Sequence, residues 1–192
     1  MKFDIILAGV GGQGVLSVSA IIASAAMHEG LSVKQSEVHG MSQRGGEVQA
    51  HLRLSDKPIA SDLIPKGAAS LILSMEPLES LRYLSYLSDT GTVLTAADPV
   101  ENFAGYPAID RVLAQVRALP RAIVVDAEKL ARQAGSARAT NMVMVGAAAH
   151  LLPVKVETLE FFVRKLFGSK GDKIVDTNLK ALAAGRRAVE RG

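Results

Sequence analysis

The chain has 192 residues, 48% hydrophobic and 21% charged, with a formal net charge of +3; that suffices for one domain with a packed core and excludes a disordered segment. It contains no cysteine, which excludes disulfides, thiolate zinc sites and cysteine-ligated iron–sulfur clusters within it. Aromatic residues make up 4% and tryptophan is absent, so the core is expected to be aliphatic, in keeping with a mostly parallel sheet covered by helices.

The apolar run Phe3-Asp4-Ile5-Ile6-Leu7-Ala8 reads as a buried first strand. A glycine loop, Gly9-Val10-Gly11-Gly12-Gln13-Gly14, follows it. Val15 to His28 reads as a helix whose apolar face is supplied by Leu16, Ile21 or Ile22, and Ala25, with Gly30 as its stop. Leu31 to Ser36 is a second strand, so the opening forty residues are written as a βαβ unit. From Glu47 to Leu54 the pattern alternates strictly. Val48, Ala50, Leu52 and Leu54 point one way, and Glu47, Gln49, His51 and Arg53 the other. This predicts a half-buried strand with one polar face, antiparallel or edge-like, and hence a mixed sheet.

Ser70–Ser74, Thr92–Ala96 and Ala122–Val125 read as further short strands. Glu76 to Leu87 reads as a helix with Pro77 in its first turn, Asp98–Ala108 as a Pro/Gly loop, Ile109–Leu119 as a helix and Asp126–Gln133 as a short one. The remainder is helical in three pieces, Asn141–Leu152, Val156–Phe167 and Lys173–Arg191, with Thr140 as N-cap of the first. The expected fold is α/β: a Rossmann-like, mostly parallel but mixed sheet with helices on both faces and a C-terminal helical layer. Residues 1–135 would form the α/β core and 136–192 the closing helices of a single domain.

The first glycine loop matches the dinucleotide fingerprint in sequence and in context. Its glycines permit a tight turn and close approach to a phosphate at a helix N-terminus. Glu37, twenty-three residues after Gly14, is then the candidate acid for a ribose. The same glycines also serve tight strand–helix packing with no ligand at all. A second loop holds Glu37, His39, Gly40, Arg44, Gly45 and Gly46 within eleven residues. Arg44 is suited to clamp a phosphate or carboxylate, or else to pair with Glu37 or Glu47 and fix the loop. His39 titrates near neutrality, or else serves as a hydrogen-bonding loop residue.

No metal-ligand histidine spacing, hydrolase elbow or P-loop is present, so no metal site is expected. Residues 155–192 carry nine Lys/Arg against five Asp/Glu, a bias suited to an acidic partner, a phosphorylated ligand or a solvated helix face. With aromatics scarce in the chain as a whole, no nucleic-acid partner is expected. No apolar stretch reaches membrane-spanning length, and the first residues carry no signal-peptide pattern. The expectation is a cytoplasmic protein with no membrane partner.

Four segments together resemble the gamma subunits of the 2-oxoacid:ferredoxin oxidoreductases. They are Gly9 to Val15, Arg44-Gly45-Gly46, Met75 to Arg82, and Thr140 to Ala147, spanning nearly the whole chain in order. The form Ser36-Glu37-Val38-His39-Gly40-Met41-Ser42-Gln43-Arg44-Gly45-Gly46 is most similar to the beta subunits of the indolepyruvate branch. The resemblance implies a share in the oxidative decarboxylation of an aryl pyruvate with coenzyme A, giving an acyl-CoA, CO2 and reduced ferredoxin. It implies a large alpha partner that carries thiamine diphosphate, magnesium and 4Fe-4S clusters, with no cofactor held by this chain alone. Ferredoxin is then met through the complex.

No catalytic residue is expected here. Gly9, Gly11, Gly12, Gln13, Gly14, Glu37, His39, Gly40, Arg44, Gly45 and Gly46 are the expected contact residues for CoA, a nucleotide or the partner. Left without its partner, an uncovered apolar face could make the chain a homodimer. The alternatives are a stand-alone NAD(P)- or nucleotide-binding module and a homo-oligomeric interaction protein.

Overall fold

The structure, a computed structural model, describes residues 1–39 and 45–190, with the His39 side chain left out. Six strands form one sheet: β1 (Lys2–Val10), β2 (Ser32–His39), β3 (Glu47–Ser55), β4 (Ala69–Ser74), β5 (Leu87–Ala96) and β6 (Ala122–Val125). Their order across the sheet is β2-β3-β1-β4-β5-β6. β1, β4, β5 and β6 run parallel, while β3 is antiparallel to both of its neighbours. The sheet is mixed, as the alternation of residues 47–54 predicts.

Helices cover both faces. α1 (Val15–His28), α4 (Ala127–Ala134), α5 (Thr140–Ala148), α6 (Val156–Phe167) and α7 (Asp172–Glu190) share a core with Ile5, Leu7, Leu52, Leu71 and Leu73. α2 (Pro77–Arg82), a short 3-10 turn at Leu84–Tyr86 and α3 (Ile109–Arg117) cover the other face, where Ile6, Ala8, Ile72, Val93 and Val116 point. The central strand explains this division: β1 is paired on both edges and covered on both faces, so Ile5 to Ala8 are all fully buried. The helices after residue 135 belong to the same core as the sheet. α5 and α7 cross so closely that a Cβ on Gly146 would enter the Leu182 carbonyl oxygen, and one on Gly185 the Val143 carbonyl oxygen.

Several expectations require correction. β3 lies inside the sheet, between β2 and β1, and the edge on that side is formed by β2. β1 and β2 are therefore not adjacent: the crossover through α1 leaves room for one strand, and β3 fills it. The polar face of β3 is buried at His51 and Arg53, while Gln49 is half-buried and Glu47 exposed. Arg53 makes a bidentate pair with Asp4 (2.9 and 3.1 Å) and donates to the Ser61 and Leu63 carbonyls. His51 Nδ1 accepts from the Ile64 amide at 3.0 Å. The segment from 56 to 64 folds over β3 and turns a strand that reads as solvated into a buried polar network.

Leu16 does not belong to the inner face of α1; it is exposed, and Val15, Val18 and Ser19 are buried there beside Ile21, Ile22 and Ala25. The helix read over Glu76–Leu87 ends at Arg82 because Leu87 is drawn into pairing with Ala69 of β4. A register shift between Ala69 and Leu71 accommodates this. It requires Gly91, where a Cβ would stand 2.7 Å from the Ala69 carbonyl oxygen. Thr140 does not cap α5: its hydroxyl donates to the Ala137 carbonyl, and the helix starts with no side-chain cap.

Candidate functional site

At the carboxyl ends of the parallel strands the chain turns through three loops that hold one another. β1 ends at Val10, and the turn that follows is fastened by Gln13. Its Oε1 accepts from the Val10 amide (2.8 Å) and its Nε2 donates to the Met75 carbonyl (3.0 Å) beyond the end of β4. Gly9 is buried. A Cβ there would meet Val15, Gln13 and Met75 at about 3 Å, so packing accounts for this glycine. Gly14 stands at φ 79° as the N-cap of α1, with Asn141 Nδ2 2.5 Å from where its Cβ would be. Gly12 is also left-handed (φ 106°) but faces open space. The fingerprint thus divides into glycines that pack and a glycine that exposes backbone.

The second loop meets the first. Because β3 runs antiparallel to β1, its N-terminal end and the carboxyl end of β1 lie side by side. Gly11 N donates to the Gly46 carbonyl at 2.8 Å, and Gly45 N to the Gly11 carbonyl at 3.3 Å. Asn102, in the 98–108 loop, donates to the Gly45 carbonyl at 2.6 Å. Gly40 and Arg44 lie outside the described residues. Glu37 stands on β2 opposite Ala50, with Gln35 donating to it. Two strand spacings therefore separate Glu37 from β1. The ribose acid of a dinucleotide site belongs on the strand next to the glycine loop, and here that neighbour is β3.

Behind these loops Glu76, almost fully buried, organises the rim. It caps α2 by accepting from the Glu79 amide (2.8 Å), and it accepts from the Tyr106 hydroxyl and the Val100 amide. Burial and the adjacent Glu76 carboxylate raise the Tyr106 phenol above its ordinary value. Glu79 pairs with Arg82 at 2.9 Å through Oε1, while its buried Oε2 finds no partner among the described residues. Burial raises its pKa, Arg82 opposes that, and Glu76 and Glu47 add to it.

Between the first loop and α4 and α5 opens a crevice of about 290 Å³, lined by Gly12, Gln13, Asp98, Glu128, Arg138 and Asn141 among others. Asp98 Oδ2 accepts from the Glu128 amide (2.9 Å) in the first turn of α4, and burial raises its pKa. Arg138 and Asn141 also line a second, larger cavity of about 450 Å³, together with Ser17, Lys170 and Lys173. Arg138 has no ion pair among the described residues. Gly12 with Arg138 in the crevice, and Arg138 with Lys170 and Lys173 in the larger cavity, suit a phosphorylated ligand. Sequence reasoning missed Asp98, Asn102 and Arg138. Asp98 and Asn102 lie in a loop with no periodicity and Arg138 in a 3-10 turn, and all three acquire a role only when the turns meet. The glycines around them are the single local signal.

The chain has no thiolate, and among the described residues no three His, Asp or Glu side chains stand close enough to hold an ion.

The sequence profile described as pyruvate ferredoxin/flavodoxin oxidoreductase matches residues 4–188. The chain is 41% identical to the indolepyruvate oxidoreductase subunit IorB of Archaeoglobus fulgidus, over 96% of this chain and 94% of that protein. It is 36% identical to the subunit of the same name in Pyrococcus horikoshii, over 98% and 96%. Among solved structures, the pyruvate oxidoreductase subunit PORC of Thermotoga maritima superposes with a TM-score of 0.75 at 23% identity, covering 97% of this chain and 96% of that one. The 2-oxoglutarate:ferredoxin oxidoreductase of Magnetococcus marinus, solved with coenzyme A bound, gives 0.80 at 20% identity. It covers all of this chain, which spans only 31% of that longer chain. At these identities the two structures establish the shared fold.

Proposed function

The chain belongs to the pyruvate ferredoxin/flavodoxin oxidoreductase family, and we propose that it is the accessory subunit of an indolepyruvate-type 2-oxoacid:ferredoxin oxidoreductase. The observation that carries this reading is end-to-end identity of 41% with a subunit bearing that name, over 94% of the relative's length. The reaction is the oxidative decarboxylation of an aryl pyruvate with CoA, and the electrons pass to ferredoxin. We assign thiamine diphosphate, magnesium and the clusters to the large alpha subunit; for the clusters, the support is that this chain lacks the thiolates they need. The chain acts as one unit from 1 to 192, with an α/β core to residue 135 and closing helices after it. Among the described residues no helix is long and apolar enough to cross a membrane, and the proposed location is the cytoplasm.

Within the complex the two glycine loops form the contact surface. Gly12, open to the crevice, offers backbone to the CoA phosphates, with Arg138 lining the same crevice, while Gly11 and Gly14 hold the turn in place. Gly9 and Gln13 shape that turn from within. Glu37, His39, Gly40, Arg44, Gly45 and Gly46 are the residues we assign to contact with the partner, Gly40, Arg44 and the His39 side chain lying outside the described residues. A stand-alone dinucleotide module is disfavoured by the distance of Glu37 from β1.

The test is co-expression with the large chain, followed by an assay of indolepyruvate-dependent, CoA-dependent dye reduction. Activity that needs both chains supports the reading. A large chain fully active without this one, or saturable NAD(H) binding by this chain alone, overturns it.

A further inference from the structure

The loop from Asp98 to Ala108 joins β5 to α3 and crosses the rim of the site. Its tip, 101–105, is exposed, yet its base is gripped. One oxygen of the buried Glu76, Oε1, accepts from the Val100 amide (3.4 Å) on one limb and from the Tyr106 hydroxyl on the other. Glu76 is itself fixed, because its Oε2 accepts from the Glu79 amide at 2.8 Å and Ser74 Oγ donates to its carbonyl. Asp98 ties the entering limb to α4 through the Glu128 amide. A single carboxylate thus closes the neck of the loop, and the two limbs it holds flank Asn102. Tyr106 also stacks at 5.7 Å on Phe103 within the tip.

Asn102 is therefore presented at a set place, and there it donates to the Gly45 carbonyl at 2.6 Å. The Gly45–Gly46 turn has little else to hold it. Gly45 is left-handed (φ 77°), and no atom stands within 4 Å of where its Cβ would be. Its neighbours bond Gly11 through backbone alone, at 2.8 and 3.3 Å. Among the described residues Asn102 is the one side chain that bonds this turn. An exposed hydrogen bond adds little to global stability, since water competes for both groups. It fixes a local orientation all the same when the donor is already held, because the entropy of ordering the loop has been met by the buried contacts of Glu76.

The first glycine loop hangs from the adjacent residue. Gln13 donates to the Met75 carbonyl, and Met75 precedes Glu76. Two successive residues at the end of β4 thus set both glycine loops, one directly and one by way of the 98–108 loop. No side-chain contact between the two glycine loops themselves is needed for this.

We propose that Asn102 is the positioning residue for the Gly45–Gly46 turn, presented to it by the clasp of Glu76 and Tyr106, and that this positioning readies the turn for the large subunit. The second half rests on the subunit reading above. The first half concerns the isolated chain and stands without it.

Four variants test it: Asn102→Ala, the isosteric Asn102→Asp that cannot donate, Tyr106→Phe that keeps the ring but loses the hydroxyl, and Glu101→Ala as an exposed control in the same tip. Amide hydrogen exchange is followed at Gly45 and Gly11 in the isolated chain, with the melting temperature as a check on global stability. The two Asn102 variants and Tyr106→Phe are expected to speed that exchange about three- to tenfold at a nearly unchanged melting temperature. Glu101→Ala should leave it as in wild type. Wild-type exchange in both Asn102 variants would overturn the positioning role, and wild-type exchange in Tyr106→Phe would overturn the clasp. Titrating each chain into the large subunit then reads the second half. Asn102→Ala and Asn102→Asp are expected to need about three- to tenfold more large chain for half-maximal activity, with kcat at saturation kept. Faster exchange at unchanged affinity would overturn the link to docking and leave the subunit reading intact. Wild-type chain that fails to associate would overturn that reading and the link to docking with it, while the exchange rates would still decide the positioning.

Discussion

Gln13 shows how one side chain can make a glycine loop into a defined site. Its amide spans from the end of β1 to the Met75 carbonyl just past β4, so it satisfies a backbone donor and a backbone acceptor in two separate segments. Gln13→Ala leaves both without that partner and is expected to cost about 1–3 kcal/mol, measured by urea denaturation; an unchanged midpoint would remove the anchoring role. His51 carries a pH dependence. Its Nδ1 accepts a hydrogen bond from the Ile64 amide, which a protonated ring nitrogen cannot do. Burial lowers its pKa below the ordinary 6.5, Asp62 opposes this, and Arg53 adds to it. The unfolded chain therefore takes up the proton first as pH falls. The contribution of His51 is complete above pH 6.5 and is lost progressively below it. Stability measured from about pH 8 to 5 should show a steeper acid-side decline in wild type than in His51→Gln. Parallel curves would show that the imidazole does not titrate out of its bond.

At the scale of elements, the crossing of α5 and α7 depends on two residues without side chains. Gly146 and Gly185 bring the helix backbones into direct contact, each glycine against a carbonyl of the other helix. Gly146→Ala improves helix propensity by roughly 1 kcal/mol. It also forces the helices apart, at a cost of about 1–3 kcal/mol or more. A net loss in thermal stability is expected, and a rise in melting temperature would show that the crossing can relax freely. The segment from 56 to 64 is held in a different way, by charge. Arg53 reaches from β3 to Asp4 on β1 and to two carbonyls of that segment. Asp4→Ala leaves a buried guanidinium without its carboxylate and should destabilise by about 3–5 kcal/mol. A loss below about 1 kcal/mol would mean that the pair behaves as if solvated.

For the whole molecule, the proposed role of the glycine loops in the assembly can be tested at Arg44. Arg44 precedes a glycine pair whose described residues bond Gly11 and Asn102. Arg44→Ala is expected to lower the activity of the complex by about tenfold while leaving the melting temperature of the isolated chain nearly unchanged. A variant that melts early yet supports full activity once folded would refute this. The asymmetry follows from the architecture: the core lies on the two faces of the sheet, whereas the glycine loops cluster at its carboxyl ends, where few side chains support them.

Local signals were enough to read the bounds of α1 and α6, the alternation of β3, the two glycine motifs and the mixed character of the sheet. Each depends on residues within a few positions of one another: helical period, a glycine stop, an alternating face. The same signals could not say that β3 slips between β1 and β2, because periodicity reports which face a strand buries and not which strand lies beside it. They also read Arg53 and His51 as a polar face, since burial was decided by a segment folding back from residues 56–64. Arg138 and Asp98 lie forty residues apart and meet only at the crevice. By itself the sequence determined the motifs, the family and those elements, such as α1 and α6, whose bounds are set by neighbouring residues. The tertiary structure decided the strand order, the buried charges and the membership of the site, because all three depend on contacts between residues far apart in the chain.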